Sequence, residues 1–224
     1  MASNDAPVFE GFPDSTLKFL QDLRKNNDKA WFNEHRADYE AAFKRPAQDF
    51  CAAMEERLTE LAIMPLNSKV YRVNRDLRFS KDKTPYNTHV HISFRPGTGV
   101  SSAPSFAFGL DPKMLTVGAG AFGFEKQLDS YRENMSGDAG DALSVEIGIL
   151  LKNGARFGAE PELKRVPKPY PSDHPRANLL RRKSLTLWLD FDSPKAASRT
   201  NIIEDCLKRF AALLPVYTWL AGIR

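Results

Sequence analysis

Cationic side chains are concentrated at positions 72–89, where the chain reads RVNRDLRFSKDKTPYNTH. Arginine donates two parallel hydrogen bonds to a planar or tetrahedral oxyanion, and neighbouring carboxylates can hold its guanidinium in place. The run, called the central block below, therefore predicts a pocket for phosphate, sulfate or a carboxylate. Its candidate anion ligands are Arg72, Arg75, Arg78, Lys81 and Lys83, with Asp76 and Asp82 as supporting carboxylates.

A second basic segment lies at positions 164–183 and is rich in proline, which favours a rigid loop. Lys164 and Lys168 are candidate anion ligands in this segment. His174 can also contact an anion, and Asp173 next to it can orient the imidazole. These residue types predict a second set of contacts to the same kind of ligand.

Residues 69–95, which include the central block, and residues 164–183 together carry a net charge of +11, and the remaining chain therefore carries −7 within a total of +4. This distribution favours one anionic partner over an evenly basic surface. We therefore predict that the two segments meet in one cleft. Residues 181–183, Arg-Arg-Lys, are instead expected to form a solvated helix end, where cations interact favourably with the helix dipole.

Three residues are candidates for proton transfer to or from a bound ligand: His89, His174 and Tyr86. Each can equally be an ordinary hydrogen-bonding residue. His89 and His91 have the spacing of two residues on one face of a strand, but no third ligand lies at a useful distance in the sequence. No metal site and no cofactor are therefore predicted.

The order of residues in the central block, R-x-x-R-D-x-R-F followed by D-K and Y, resembles the signature of the DUF2461 family of uncharacterised proteins. The segments at 26–40 and 163–175 resemble the same family. The chain of 224 residues is long enough for one substantial core and shows no linker, so we expect a single domain over residues 1–224. The resemblance implies no activity, because the name of the family stands for an unknown function.

Two alternatives to a small-ligand site remain open. The aromatic residues Tyr71, Phe79, Tyr86 and Phe94 alternate with cations, as in proteins on which single-stranded nucleic acid stacks. The other alternative is a structural network of ion pairs in which the arginines are buried against the two carboxylates, and the protein acts through a different surface.

Hydrophobic periodicity predicts the elements that position these residues. Apolar residues recur at helical spacing in the first third of the chain and again after residue 125, with a break expected at Pro46 and a kink or an end at Pro215. The expected helices cover residues 15–26, 31–43, 50–61, 125–135, 138–152 and 199–214. Alternating residues predict strands at 69–74, 88–95, 105–110, 114–119 and 185–191.

Short turns between these strands imply antiparallel pairing. We predict an α+β domain with an antiparallel sheet of about five strands and with helices packed mainly on one side. The glycines at 118, 120 and 123 match the spacing of a dinucleotide-binding loop, but that loop requires a parallel βαβ unit, so close packing is the expected reason for them.

The composition is that of an ordinary soluble protein: 224 residues, of which 42% are hydrophobic and 27% are charged. No apolar run approaches the ~20 residues of a membrane helix, and the first residues have no signal-peptide pattern. We therefore expect a cytoplasmic protein without a membrane partner. Cys51 and Cys206 are expected to be reduced and buried. The sequence leaves the oligomeric state open.

Overall fold

A computed structural model describes residues 9–97 and 103–223, apart from the side chain of Glu125. Residues 1–8, to which the expectation about a signal peptide refers, lie outside this description. The helices are α1 (Asp14–Lys25), α2 (Lys29–Glu34), α3 (Arg36–Tyr39), α4 (Arg45–Ala62), α5 (Leu128–Ser136), α6 (Asp138–Lys152), α7 (Ala177–Leu180) and α8 (Ile202–Ala221). The strands are β1 (Leu66–Val70), β2 (Val90–Pro96), β3 (Ser105–Leu110), β4 (Leu115–Ala121), β5 (Arg156–Phe157) and β6 (Leu185–Asp190).

The strands form one six-stranded antiparallel sheet in the order β1-β2-β3-β4-β6-β5. The α+β class and the antiparallel pairing are confirmed. The sequence prediction missed β5, because two residues are too few to show alternation.

The helices that contact the middle of the sheet lie on one face of it. Phe50 of α4 packs on Phe94 of β2 and Phe108 of β3. From α8, Tyr217 stacks on Phe106 of β3. Phe94 is paired with Phe106, so these aromatic side chains belong to the same face and form the core.

Two prolines behave differently from the expectation. Pro46 lies in the first turn of α4, where its missing N–H costs nothing, and the π-helical turn Glu40–Lys44 leads directly into it. Pro215 lies inside α8, which continues to Ala221, so of the two expected outcomes, a kink or an end, the end does not occur. The buried side chains of Val216 and Tyr217 pack the last turns against the core, and this packing supports the helix beyond the proline.

The opposite face of the sheet, called the polar face below, carries His91, Ser93 and Arg95 on β2. Cross-strand neighbours on this face are small near its centre, because His91 is paired with Gly109 and Gly109 with Thr116. The next row runs from Ser93 through Ala107 and Gly118 to Trp188 of β6. The central small residues leave room above the sheet between larger side chains at its two sides.

Cys51 and Cys206 are buried and are not joined in a disulfide, as predicted. Within residues 9–97 and 103–223, no helix combines the length and the apolar character needed to cross a membrane.

Candidate functional site

The central block is a long excursion of the chain between β1 and β2. Its two ends remain paired, because Asn74 and Tyr86 form an antiparallel bridge and the N–H of Arg75 donates to the carbonyl of Pro85 at 2.9 Å. This pairing extends the β1–β2 hairpin beyond the edge of the sheet. Residues 76–84 form the tip of the excursion.

Arg75 braces that tip. Its guanidinium donates to the carboxylate of Asp82 at 2.7 Å, to the carbonyl of Thr84 at 3.0 Å and to the hydroxyl of Ser80 at 3.3 Å. Hydrogen bonds from the Thr84 N–H and from Arg75 lower the pKa of Asp82 to about 2. The Arg75 side chain is 23% exposed and that of Asp82 is 60% exposed, so the brace lies at the surface.

Arg78 and Asp76 form a second, more exposed pair. The guanidinium of Arg78 donates to both carboxylate oxygens of Asp76 at 2.6–3.1 Å, and its side chain is 78% exposed. Hydrogen bonds from Arg78 are the main reason why the pKa of Asp76 lies below its usual value, and the charge of Arg72 lowers it further. Both carboxylates therefore contact arginines. The pairs are solvated, which differs from the buried network of the structural alternative.

A groove of about 410 Å³ opens between the base of the central block and the polar face. Arg72 lies at this groove, and its guanidinium has no hydrogen-bond or ion-pair partner within residues 9–97 and 103–223. The lining residues are Tyr71, Arg72, Asn74, Arg75, Asp76, Asn87, His89 and His91.

The inner wall of the groove is formed by a stacked pair of rings. Tyr71 lies parallel to His91 with 4.4 Å between ring centroids. The hydroxyl of Tyr71 accepts a hydrogen bond from Arg95 at 2.8 Å. The Nε–H of Arg95 and the hydroxyl of Ser93 are buried on the same face without a partner in the described part of the chain. Such unsatisfied groups are uncommon in folded proteins and are frequent at functional sites.

The pKa values of both imidazoles of the groove lie below the usual value of histidine. Burial lowers the pKa of His91, and the neighbouring His89 and Arg95 lower it further. His89 keeps part of its ring in solvent, but partial burial lowers its pKa as well, while the carboxylate of Asp111 raises it and Arg24 lowers it. Both rings are therefore neutral at pH 7, and each offers one N–H donor and one acceptor.

Tyr86 does not line the groove. Its ring is buried and stacks on Phe32 with 4.2 Å between centroids. Both amide atoms of the Asn27 side chain bond to the backbone of Tyr86, at 2.9 and 3.0 Å. The sequence argument for proton transfer by Tyr86 loses its basis, because the phenol that lines the groove belongs to Tyr71.

The second basic segment lies at the opposite end of the strands. β6, which follows this segment, begins at Leu185 beside Ala121, the last residue of β4. β2, which follows the central block, begins at Val90 beside Leu110, the last residue of β3. Since β3 and β4 are antiparallel, these two points lie at opposite ends of the sheet, and the expected common cleft does not form.

The predicted anion ligands of the second segment are placed far from the groove for the same reason. Lys164, Lys168 and Asp173 are exposed at the surface. His174 is half-buried and accepts a hydrogen bond from the N–H of Arg176 at 3.0 Å. None of these four predicted site residues lines the groove at the central block.

Two arginines of the second segment are buried instead. The guanidinium of Arg176 donates to the carbonyls of Met135 and Ser136, each at 2.6 Å, and pairs with Asp141. Burial lowers the pKa of Arg182, whose side chain packs against Phe157.

Arg182 lies over the ring of Phe157 at 3.8 Å and donates to the carbonyl of Ala159 at 2.6 Å. The prediction that residues 181–183 form a solvated helix end is therefore wrong for Arg182, since its side chain is buried. No local sequence feature distinguishes it from the exposed Lys183 beside it.

A larger groove, of about 810 Å³, lies between α4 and the edge strand β1, and Arg72 is also on its rim. It is less suited to an anion, because the carboxylates of Glu55 and Glu56 offset the charges of Lys44 and Arg72 in its lining. Glu55 accepts a hydrogen bond from the N–H of Ser68 at 2.7 Å, which covers an outward-facing donor of the edge strand. The described residues contain no cluster of His, Cys, Asp and Glu able to hold a metal ion.

The groove contains four residues that the sequence did not single out as site residues: Tyr71, Asn74, Asn87 and His91. The strand expected at 69–74 placed Tyr71 on the face opposite to Arg72, so the sequence did not indicate that both residues line one groove. Asn87 was not recognisable, because its position opposite Arg72 depends on the pairing of the two ends of the block.

The fold and this groove define an α+β protein with a single antiparallel sheet and a polar cleft beside an arginine-rich hairpin. Residues 15–219 match the model of the family described as conserved hypothetical protein (DUF2461). The chain therefore belongs to the DUF2461 family, whose function is unknown. A comparison with curated proteins found no match.

Proposed function

We propose that this protein binds a small anionic ligand, bearing a phosphate, sulfate or carboxylate group, in the groove beside Arg72. The observation that carries the proposal is the guanidinium of Arg72, which lies at a groove without any partner in the described part of the chain. An arginine in this situation has its full set of donors available for an oxyanion.

The charges around the groove support an anion over a cation. The charge of Arg75 is offset by Asp82 and that of Asp76 by Arg78, while the imidazoles are neutral. Among these charged residues, Arg72 is the one without an ion-pair partner in the described part of the chain. Asn87 supports its position, because the amide of Asn87 donates to the carbonyl of Arg72 at 3.4 Å.

The groove also contains groups suited to proton transfer. A neutral imidazole at the wall of a binding site can accept a proton from a bound ligand or donate one to it. His89 and His91 are such groups, and an anion bound beside Arg72 would favour their protonated forms. The same groove is therefore suited to an enzyme acting on the anion as well as to a binding protein.

The nucleic-acid alternative has less support. Of the four aromatic residues on which it depended, Phe94 and Tyr86 are buried in the core. Phe79 is 96% exposed at the tip of the central block, and Tyr71 is stacked on His91. Two separated rings provide little stacking surface for a single strand.

Calorimetric titration with phosphate, sulfate and citrate tests the proposal. We expect the wild type to bind at least one of them, and Arg72→Ala to weaken that binding by about tenfold or more, because charged hydrogen bonds to the anion are lost. The matched control is Arg165→Ala, which removes another exposed arginine at the far end of the sheet and should leave the affinity unchanged. Absence of binding, or equal losses in both variants, would refute the proposal.

A further inference from the structure

A second cavity on the polar face adjoins the anion groove. This cavity of about 240 Å³ shares His89 and His91 with the groove. Its other lining residues are Gly109, Leu110, Asp111, Met114, Thr116 and Trp188. The two imidazoles line both spaces, so the groove and the cavity adjoin at these rings.

The floor of the cavity is low because the residues that form it are small. His91, Gly109 and Thr116 lie side by side on three neighbouring strands. A Cβ atom at Gly109 would approach the methyl group of Thr116 to 3.2 Å, so even an alanine would crowd this floor. The absence of a side chain at this position creates the space between the imidazoles and Trp188.

Trp188 forms the opposite wall. It is paired with Gly118, and a Cβ atom at this glycine would lie 2.6 Å from the indole ring. Glycine at 118 therefore allows the indole to lie against β4. The resulting wall is a broad, half-buried aromatic surface that approaches the imidazoles across β3.

The chemistry of the cavity differs from that of the groove. Trp188 and Met114 make it mainly apolar, and Thr116 adds one hydroxyl. The carboxylate of Asp111 accepts from the N–H groups of Lys113 and Met114. An apolar slot with aromatic walls favours a planar ring, which gains both burial and stacking.

We propose that the ligand of this site is an aromatic anion, with its planar ring between the imidazoles and Trp188 and its anionic group at Arg72. The inference rests on the proposed function and adds the class of ligand. Neighbouring strands are about 4.8 Å apart, so the distance from β2 to β4 is about 10 Å. This is the backbone width of the slot in which the ring would lie over β3, and the anionic group would reach Arg72 past the imidazoles on β2.

Three probes that share a phosphate test the inference by calorimetry: inorganic phosphate, ribose 5-phosphate and uridine 5′-monophosphate. We expect the wild type to bind the nucleotide about tenfold more tightly than ribose 5-phosphate, since stacking on an aromatic side chain contributes about 1–3 kcal/mol per base. Trp188→Leu keeps an apolar cover over β4 and should remove this advantage without changing the affinity for ribose 5-phosphate.

Fluorescence provides a second readout. The nucleotide should change the emission of the wild type and not that of Trp188→Phe, because Trp31 stacks on His35 and Trp219 contacts Ala139, both outside the cavity. Arg72→Ala should weaken the binding of all three probes equally.

The possible outcomes separate the two proposals. Equal affinities for the nucleotide and ribose 5-phosphate, with binding still dependent on Arg72, would overturn the aromatic ligand and leave the anion site intact. A preference for the nucleotide that persists in Trp188→Leu would also overturn it. If none of the probes binds, the proposed function and this inference fail together.

Discussion

The two basic segments contain the same number of cations, seven in 69–95 and seven in 164–183, yet they have opposite surroundings. In the central block the guanidinium groups of Arg75 and Arg78 contact carboxylates at the surface. In the second segment Arg176 and Arg182 are buried and donate mainly to backbone carbonyls and an amide side chain. The number of cations in a segment therefore says little about whether they are available to a ligand.

The difference follows from what each segment packs against. The last carbonyls of α5 have no partners within the helix, and Arg176 supplies donors to Met135 and Ser136 at that end. The central block has no helix end to satisfy, since it leaves the sheet as a hairpin extension. Its arginines brace a surface loop or, in the case of Arg72, lie at a groove.

The largest expected loss of stability comes from replacing Arg176. We expect Arg176→Ala to lower the free energy of unfolding by about 3 kcal/mol, because it removes a buried side chain and leaves the carbonyls of Met135 and Ser136 without these charged donors. Urea denaturation measures this change. Arg165→Ala, an exposed arginine in the same segment, should change the free energy by less than about 0.5 kcal/mol. An unchanged free energy of unfolding in Arg176→Ala would show that the buried arginine of the second segment has no structural role, and the contrast with the central block would fail.

A smaller effect is expected in the central block. Arg75→Ala removes hydrogen bonds to Asp82, Thr84 and Ser80, and we expect a loss of about 1 kcal/mol because the brace is partly solvated. The tip of the block should also become more accessible to trypsin, which cleaves after its exposed Lys and Arg residues. Arg75→Lys should be nearly as destabilised as Arg75→Ala, since an ammonium group cannot donate to several acceptors in fixed directions. An unchanged rate of cleavage would contradict the brace.

The imidazoles of the groove should make stability depend on pH. The folded-state pKa of His91 lies below its usual value near 6.5, so between these two values the unfolded chain binds more protons than the folded protein. Stability should therefore fall as the pH is lowered through this window, and His89 should act in the same direction.

The charged and titratable neighbours of these rings are Tyr71, Arg95, Asp111 and Arg24. Urea denaturation at pH 7.5 and pH 5.5 measures the dependence. His91→Gln, which cannot titrate, should reduce the difference between the two pH values. If the wild type and this variant show the same difference, His91 is not the group responsible.

The smallest expected effect on stability is at Arg72. Arg72→Ala should change the free energy of unfolding by less than about 0.5 kcal/mol, because the side chain is exposed. Its removal leaves no hydrogen-bond or ion-pair partner unsatisfied in the described part of the chain. Urea denaturation of the same variant that is used in the calorimetric titration measures this change in free energy. A large loss of stability would indicate a structural role for Arg72 and would weaken the anion site.

Much of the fold follows from local patterns. Val90, Ile92 and Phe94 alternate with polar residues, and this alternation is sufficient to predict β2 and the face that it buries. The two-residue β5 and the continuation of α8 beyond Pro215 were not predictable in this way, because both depend on packing with distant residues.

The site was predictable only in part. Arg72, Arg75, Asp76 and His89 line the groove, and all four belong to the central block identified from its composition. Lys164, Lys168, Asp173 and His174 were grouped with them on charge alone, but charge gives no information about which loops lie at the same end of a sheet.

The sequence alone determines the family, the antiparallel α+β class and the opposite facing of neighbouring side chains on each strand, because these depend on residue order and on a local period of two or 3.6 residues. Only the tertiary structure decides that β6 lies antiparallel beside β4. That arrangement places the second basic segment at the far end of the sheet and brings Trp188 beside the groove. Strand order and register arise from contacts between residues distant in the chain, and local patterns do not record them.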